Sequence, residues 1–224
     1  MPCVRFWKIH TFIIKSMGFL ENNCILKTIT DDTLKECHPF TCGDEDMDEF
    51  FAKDALNYTK YKMGKSYCFC LKDAPNTIIA CFTISNDSIR IYDLPSSRRN
   101  AMWGITHREK MLTRYPGVLI GRLAVSAQFS NKGIGSEVLD FIRMWFLDDA
   151  NKTGCRFAIV DAKNEDKVLR FYEKNHFKPL FPREIDEAFY TKPPKNDEER
   201  MKQIKNPRKL RTRLMFCDLL EDFC

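Results

Sequence analysis

The stretch Gly121-Arg-Leu-Ala-Val-Ser-Ala-Gln-Phe-Ser-Asn-Lys-Gly-Ile-Gly-Ser136 decides how this chain folds. Its first half, as part of Val118–Val125, is nearly continuous in apolar residues apart from Gly121 and Arg122, and reads as a buried strand. Its second half is a glycine-bearing turn. Beyond it Ile134, Val138, Ile142, Trp145 and Phe146 form an apolar stripe, so a helix is expected from Gly133 to about Ala150. A glycine-bearing loop that opens a helix suits a phosphate. The N–H groups of the first turn point at the anion, the helix dipole adds about half a positive charge, and glycine lets the backbone approach. Lys132 adds a full charge beside it. By physics alone the same residues are equally a plain strand-to-helix turn. A Walker A loop is excluded because no Gly-Lys-Ser/Thr follows, and the dinucleotide fingerprint lacks its third glycine.

Working outward, Asn23–Thr30 reads as a first strand. Thr41–Asp44 is a turn into a helix whose Met47, Phe50, Phe51, Ala55 and Tyr58 share one face. Ser66–Leu71 and Thr77–Ile91 form a hairpin across Lys72–Asn76. Pro95–Trp103 is expected as a loop and Ile105–Leu112 as a short helix. Phe157–Val160 is another strand. Asn164 is placed as the N-cap of a helix running to about Asn175, with Glu165 and Asp166 in its first turn. Phe177–Phe181 and Leu214–Leu220 complete the strands. Between them, 182–212 is a Pro-punctuated, basic insertion in which Glu187–Tyr190 and Asp197–Ile204 are expected to be helical. The order is α/β (α+β). One domain over 21–224 is expected, after an N-terminal extension at 1–20, with Met17 an alternative start.

The 224 residues suffice for one well-filled core. Net charge is +5, and Lys195–Arg213 alone holds eight Lys or Arg against three acidic residues, so the excess sits near the C-terminus. Ten cysteines would allow five disulfides only in an oxidising compartment. The apolar run Phe12-Ile-Ile14 is too short for a secretory signal or a membrane span, so a cytoplasmic protein with reduced thiols and no membrane partner is expected. Neither Cys68/Cys70 nor Cys37/His38/Cys42 has the spacing of a zinc site, and no metal is expected.

Four segments follow in order: Leu123-Ala-Val125, Asn131-Lys-Gly-Ile-Gly-Ser136, Asp161-Ala-Lys-Asn164 and Phe171-Tyr-Glu-Lys-Asn-His-Phe177. In order and spacing they resemble the core of the GNAT N-acetyltransferases. Gly133 and Gly135 match the last two marks of that family's loop, and Ser130 stands where Arg or Gln is usual. The resemblance implies a central mixed, mostly antiparallel sheet of six to seven strands flanked by helices, with the helical insertion before the last strand. It implies acetyl-CoA as cosubstrate. Leu123, Ala124 and Val125 would pair with its pantetheine arm. Ser130, Asn131, Lys132, Gly133, Ile134, Gly135 and Ser136 would hold its pyrophosphate, and Asn164 would hydrogen-bond the cofactor. Tyr172 would protonate the departing CoA thiolate, a role a phenol can serve; packing on the sheet beside Val168 and Leu169 is the alternative. No general base is assigned: Glu137 and Glu173 read as solvated helix-surface charges.

Phe40-Thr-Cys-Gly43, Met47-Asp-Glu-Phe-Phe51 and Ile120-Gly-Arg-Leu-Ala-Val125 are similar to stand-alone bacterial members that include toxins acetylating aminoacyl-tRNA. That implies tRNA as a partner through Arg122 and the basic run 200–213, which would neutralise phosphates. A solvated helix face paired with Asp197, Glu198 and Glu199 is the other reading of that run. A transferase acting on a small or protein amine, and a non-catalytic acyl-CoA-binding module, stay open beside it. A homodimer is expected by analogy of fold.

Overall fold

The computed structural model describes residues 18–105 and 112–221. Its seven strands are β1 (Cys24–Thr28), β2 (Lys65–Leu71), β3 (Ile78–Arg90), β4 (Arg114–Val125), β5 (Phe157–Lys163), β6 (Lys178–Pro179) and β7 (Thr212–Asp218). They form one sheet in the order β1-β2-β3-β4-β5-β7-β6. β1 and β2 are antiparallel, β4 and β5 parallel, and β7 runs antiparallel to both β5 and β6. The helices are α1 (Gly18–Asn23), α2 (Asp31–Glu36), α3 (Glu45–Glu49), α4 (Ala55–Lys60), α5 (Ser96–Ile105), α6 (Ile134–Leu147), α7 (Asp166–Lys174), α8 (Glu184–Thr191) and α9 (Asp197–Lys205). A π-helical turn, Phe50–Asp54, joins α3 to α4.

Two compact units make up the described chain. One comprises the residues up to Tyr61, Ser66–Phe82 and Leu123–Ile142; the other comprises Lys62–Lys65, Thr83–Arg122 and the chain from Arg143 onward. In the first, side-chain alternation along β2 sends Tyr67 and Phe69 to one face and Cys68 and Cys70 to the other. Phe69 and Phe82 meet Phe141 of α6, at ring separations of 5.1 and 6.2 Å. On the opposite face Cys68, Cys70, Cys81 and Ala124 pack with Phe50, Phe51 and Ala55. Of the stripe expected over Met47–Tyr58, Phe50, Phe51 and Ala55 are buried and Met47 packs against them, whereas Tyr58 is exposed; Asp44 caps the start by accepting the Met47 N–H. Cys68 and Cys70 are fully buried thiols, and the eight cysteines described are all free.

In the second unit, Phe157, Ile159, Phe181 and Phe216 form the core with Ile89, Ile91, Leu94 and Met102. Gly117 is required by close approach: a Cβ there would lie 2.8 Å from Ile159 Cδ1 and 3.0 Å from the Phe157 carbonyl, where β4 pairs with β5. Glu187 of α8 is 3% exposed; it accepts the Leu214 N–H at 2.5 Å and Arg213 Nε at 2.8 Å. Burial raises its carboxyl pKa, against the opposing pull of Arg213 and the Leu214 N–H.

Several expectations need correction. Pro95–Trp103 is not a loop: Ser96–Ile105 is helical. Local propensity was outweighed by tertiary contacts, since Met102 is fully buried and Arg98 donates to the Leu180 and Pro179 carbonyls. The short helix expected over 105–112 lies almost wholly outside the described residues. Phe177–Phe181 contributes only a two-residue strand, Lys178–Pro179, and the Leu180 N–H still bonds the Leu214 carbonyl of β7 at 2.8 Å. Asn164 does not cap α7: the N-cap is Glu165, and no side-chain bond closes it. Residues 18–20, assigned to an extension, are helical here. The N–H groups of Phe19 and Leu20 bond the Glu137 carboxylate at 3.2 and 2.8 Å. Glu137 is thus a clamp on α1 rather than a solvated surface charge.

Removing one partner of a buried ion pair leaves the other uncompensated, so Glu187→Ala is expected to lower the unfolding free energy by about 3 kcal/mol. Urea denaturation of the two proteins reads it, and a difference under about 0.5 kcal/mol would place the Glu187–Arg213 pair outside the stabilising core.

Candidate acetyl-CoA site

The cradle begins where β4 ends. The Ser126 N–H bonds the Ile79 carbonyl at 2.8 Å and the Ala127 N–H bonds the Thr41 carbonyl at 3.0 Å, so the strand is held to the tip of the β2–β3 hairpin and to the segment before α3. A 3-10 turn, Ala127–Phe129, follows. Asn131 and Gly133 then adopt left-handed backbone, with φ of 60° and 82°. Asparagine tolerates that region and glycine occupies it without cost. A Cβ at Gly133 would meet nothing within 4 Å, so φ alone, not crowding, calls for glycine. The Gly133 carbonyl accepts the Ser136 and Glu137 N–H groups and starts α6. The N–H groups of Asn131 through Gly135 have no partner among the described residues, and Asn131, Lys132 and Gly133 are exposed. Open N–H groups at the dipole's positive end are what an anion requires, so these residues fit a diphosphate. Lys132 lies over the Phe129 ring at 4.9 Å, and Phe129 in turn packs on Phe19. Ser130, in place of the usual Arg or Gln, turns its hydroxyl back to the Ala127 carbonyl at 3.1 Å. It braces the turn from within.

Upstream, Leu123 and Val125 are half-buried and Ala124 is buried in the core formed with α3 and α4. The parallel register of β4 with β5 covers Gly117–Leu119 against Phe157–Ile159. That pairing ends at Leu119, six residues before the end of β4 at Val125. β5 itself continues to Lys163 against β7.

Asn164 and Tyr172 belong to the second unit. Asn164 is buried, and both hydrogens of its amide are committed, to Glu184 Oε1 and to the Leu210 carbonyl, each at 2.9 Å. It ties the end of β5 to the insertion, a role that the sequence pattern did not reveal. Tyr172 is half-buried on α7, with its ring edge-on to Phe171 and Phe177 at 5.1 and 5.3 Å. Its carbonyl accepts the Asn175 and Phe177 N–H groups, which turns the chain out of α7. Burial pushes the phenol up to about 12, so it stays protonated across the neutral range. Glu173 is exposed. Among the described residues no group of three or more His, Cys, Asp or Glu could hold a metal ion, and no helix is long and apolar enough to cross a membrane.

The basic run is exposed at Arg200, Lys202, Lys205, Arg208, Lys209 and Arg211. Asp197, Glu198 and Glu199 form no ion pair with it among the described residues. The Asn196 side chain caps α9 by accepting the Glu199 N–H, and the three acidic residues fill the first turn. At the end of the run Arg213 is committed, to Glu187 and Glu184.

Gly135→Trp is expected to abolish acetyl-CoA binding in calorimetry, against a wild-type affinity in the micromolar range, about −8 kcal/mol. Ser130→Ala is expected to leave it nearly unchanged, because that hydroxyl faces its own loop; a large loss there would return a ligand-binding role to the side chain.

Comparison with known proteins bears on the fold. Residues 66–179 match the family model for the acetyltransferase (GNAT) domain. Among solved structures, the chain is similar in fold to AtaT complexed with acetyl-methionyl-tRNAfMet, at 19% identity and a TM-score of 0.56, covering 70% of this chain and 87% of that one. It is similar to AtaTR bound with acetyl-CoA, at 19% identity and a TM-score of 0.55, covering 70% and 87%. It is also similar to a bacterial toxin, at 14% identity and a TM-score of 0.58, covering 89% and 94%. With its glycine cradle, its sheet order and a family match over half its length, this chain belongs to the GNAT family of acetyl-CoA-dependent N-acetyltransferases.

Proposed function

We propose that the protein transfers the acetyl group of acetyl-CoA to a primary amine by direct attack in a ternary complex. The observation that carries this is the row of open N–H groups from Asn131 to Gly135, set by two left-handed residues at the start of α6. Acetyl-CoA, when bound, supplies the acetyl group as a reactive thioester. Asn131–Ser136 hold its diphosphate and Leu123–Val125 offer backbone pairing to its pantetheine arm. Asn164 acts at one remove, by fixing the end of β5 against Glu184 and Leu210. Tyr172 Oη, a phenol that burial raises further above the neutral range, gives its proton to the sulfur as the amine nitrogen bonds the acetyl carbon and the C–S bond breaks. The amine loses its proton to water.

The exposed basic run favours one acceptor class. Six Lys and Arg side chains from 200 to 211 are exposed, with no acidic partner drawing them off among the described residues, and Arg122 lies on β4 in the motif similar to the toxins'. Such a surface supports the aminoacyl end of a charged tRNA as the amine, with phosphate contacts supplying affinity. The similarity in fold to AtaT, seen with acetyl-methionyl-tRNAfMet, accords with that reading.

Tyr172→Phe is expected to lower kcat by at least about 100-fold while leaving the acetyl-CoA affinity unchanged. Binding without turnover in the wild type would identify a non-catalytic acyl-CoA module instead. For the acceptor, acetylation of charged tRNA should weaken steeply with salt. Replacing Arg208, Lys209 and Arg211 by Ala should reduce the slope of log K against log salt by about one for each phosphate that is no longer neutralised. Equal activity on free amines, with no salt dependence, would select a small-amine transferase.

A further inference from the structure

We propose that the first unit carries a second binding site, separate from the cradle, for a small neutral aromatic molecule of the size of benzene or phenol. A cavity of about 230 Å3 lies between α2, the segment 38–40 and the π-helical turn. Native interiors are close-packed and hold few voids larger than a water molecule. An engineered apolar cavity of about 150 Å3 is already large enough to bind benzene. The floor is apolar, formed by Phe51 and Ile78, both buried. Cys37 and Cys81 also line it. Burial raises both thiols above their ordinary pKa, so the wall is neutral and polarisable, which favours a ring over an ion. His38 and Ala52 line the cavity from exposed positions, so it opens to solvent. His38 is bonded to the Asn76 carboxamide at 2.9 Å, and this pair is the polar feature at the mouth, suited to one hydroxyl. The π-helical turn supplies Phe51 and Ala52; such turns mark functional sites often enough to direct attention there.

The site is coupled to the cradle through the chain itself. Phe40 lines the cavity and packs edge-on against Phe51 at 5.9 Å. The next residue, Thr41, accepts the Ala127 N–H at the root of the cradle loop. A ring seated against Phe40 therefore fixes the segment that holds the loop, and tightens the cradle's grip on its anion.

The test uses the full chain, with phenol and benzene as probes and glycerol as a polar control. Thermal unfolding should rise saturably with phenol and with benzene, with a Kd of about 1 mM or tighter, and should show no saturable rise with glycerol. Ala52→Trp, at an exposed position that can accept a large side chain, should unfold as the wild type does without probe and lose the saturable rise. At saturating phenol the acetyl-CoA Kd should tighten by about fivefold. No saturable rise in the wild type, or one that persists in Ala52→Trp, overturns the site; an unchanged acetyl-CoA Kd overturns its link to the cradle. The phenol measurement reads the cavity whether or not acetyl-CoA binds, so the failure of either reading is distinguishable from that of the other.

Discussion

Glu187 accepts a backbone N–H and a guanidinium nitrogen at once, from Leu214 and Arg213, while lying almost wholly out of water. A carboxylate can be kept in such a place only if its charge is met on both oxygens. That requirement holds α8 against β7, and β7 is the strand that pairs with both β5 and β6. Arg213 also donates to the Phe181 carbonyl, where the insertion leaves the sheet. A turn earlier on α8, Glu184 Oε1 repeats the arrangement with the Leu210 N–H and the Asn164 amide. Two carboxylates on one short helix thus join the end of β5, the return of the insertion and the last strand. The segment after Phe181 is built into the sheet it returns to.

The cradle is held by simpler means. Its conformation is set by backbone: a left-handed asparagine, a left-handed glycine and one carbonyl that accepts two N–H groups. The side chains around it brace the frame. Ser130 bonds within its turn, Lys132 covers Phe129, and Glu137 reaches back to α1. The five N–H groups from Asn131 to Gly135 are left without a partner, among the described residues, at the positive end of α6.

What could be read in advance follows from the range over which each signal acts. The helical stripe from Met47 to Ala55, the alternation of β2 and the strand–glycine–helix order at 121–136 are local periodicities, and they appear where expected; Tyr58, the last of the stripe, is exposed. The helix at Ser96–Ile105 departs from the expected loop because its sequence is polar and preceded by Pro95; Arg98 and Met102 hold it in place through partners some eighty residues away or in a distant core. Asn164 has the composition of a cap and sits one residue from the helix, but its amide is claimed by α8 and Leu210. Glu137 has the spacing of a surface residue and is occupied by a segment more than a hundred positions earlier. In each case the decisive contact was long-range, and no spacing in one chain encodes it. The thiol-lined cavity is illegible for the same reason, since its walls come from three separate segments, 29–40, 51–52 and 78–81.

Because the loop's shape rests on dihedral angles and amide hydrogens, most of its side chains can change without altering that shape. Ser130 illustrates the freedom: a residue type change at a family-marked position leaves the turn closed, by an internal bond. Over evolutionary time such a loop can drift in letters while holding its form, so long as glycine or asparagine recurs where φ is positive. Divergent descendants of this fold are accordingly better recognised by the sign of two torsions than by the identity of any charged side chain.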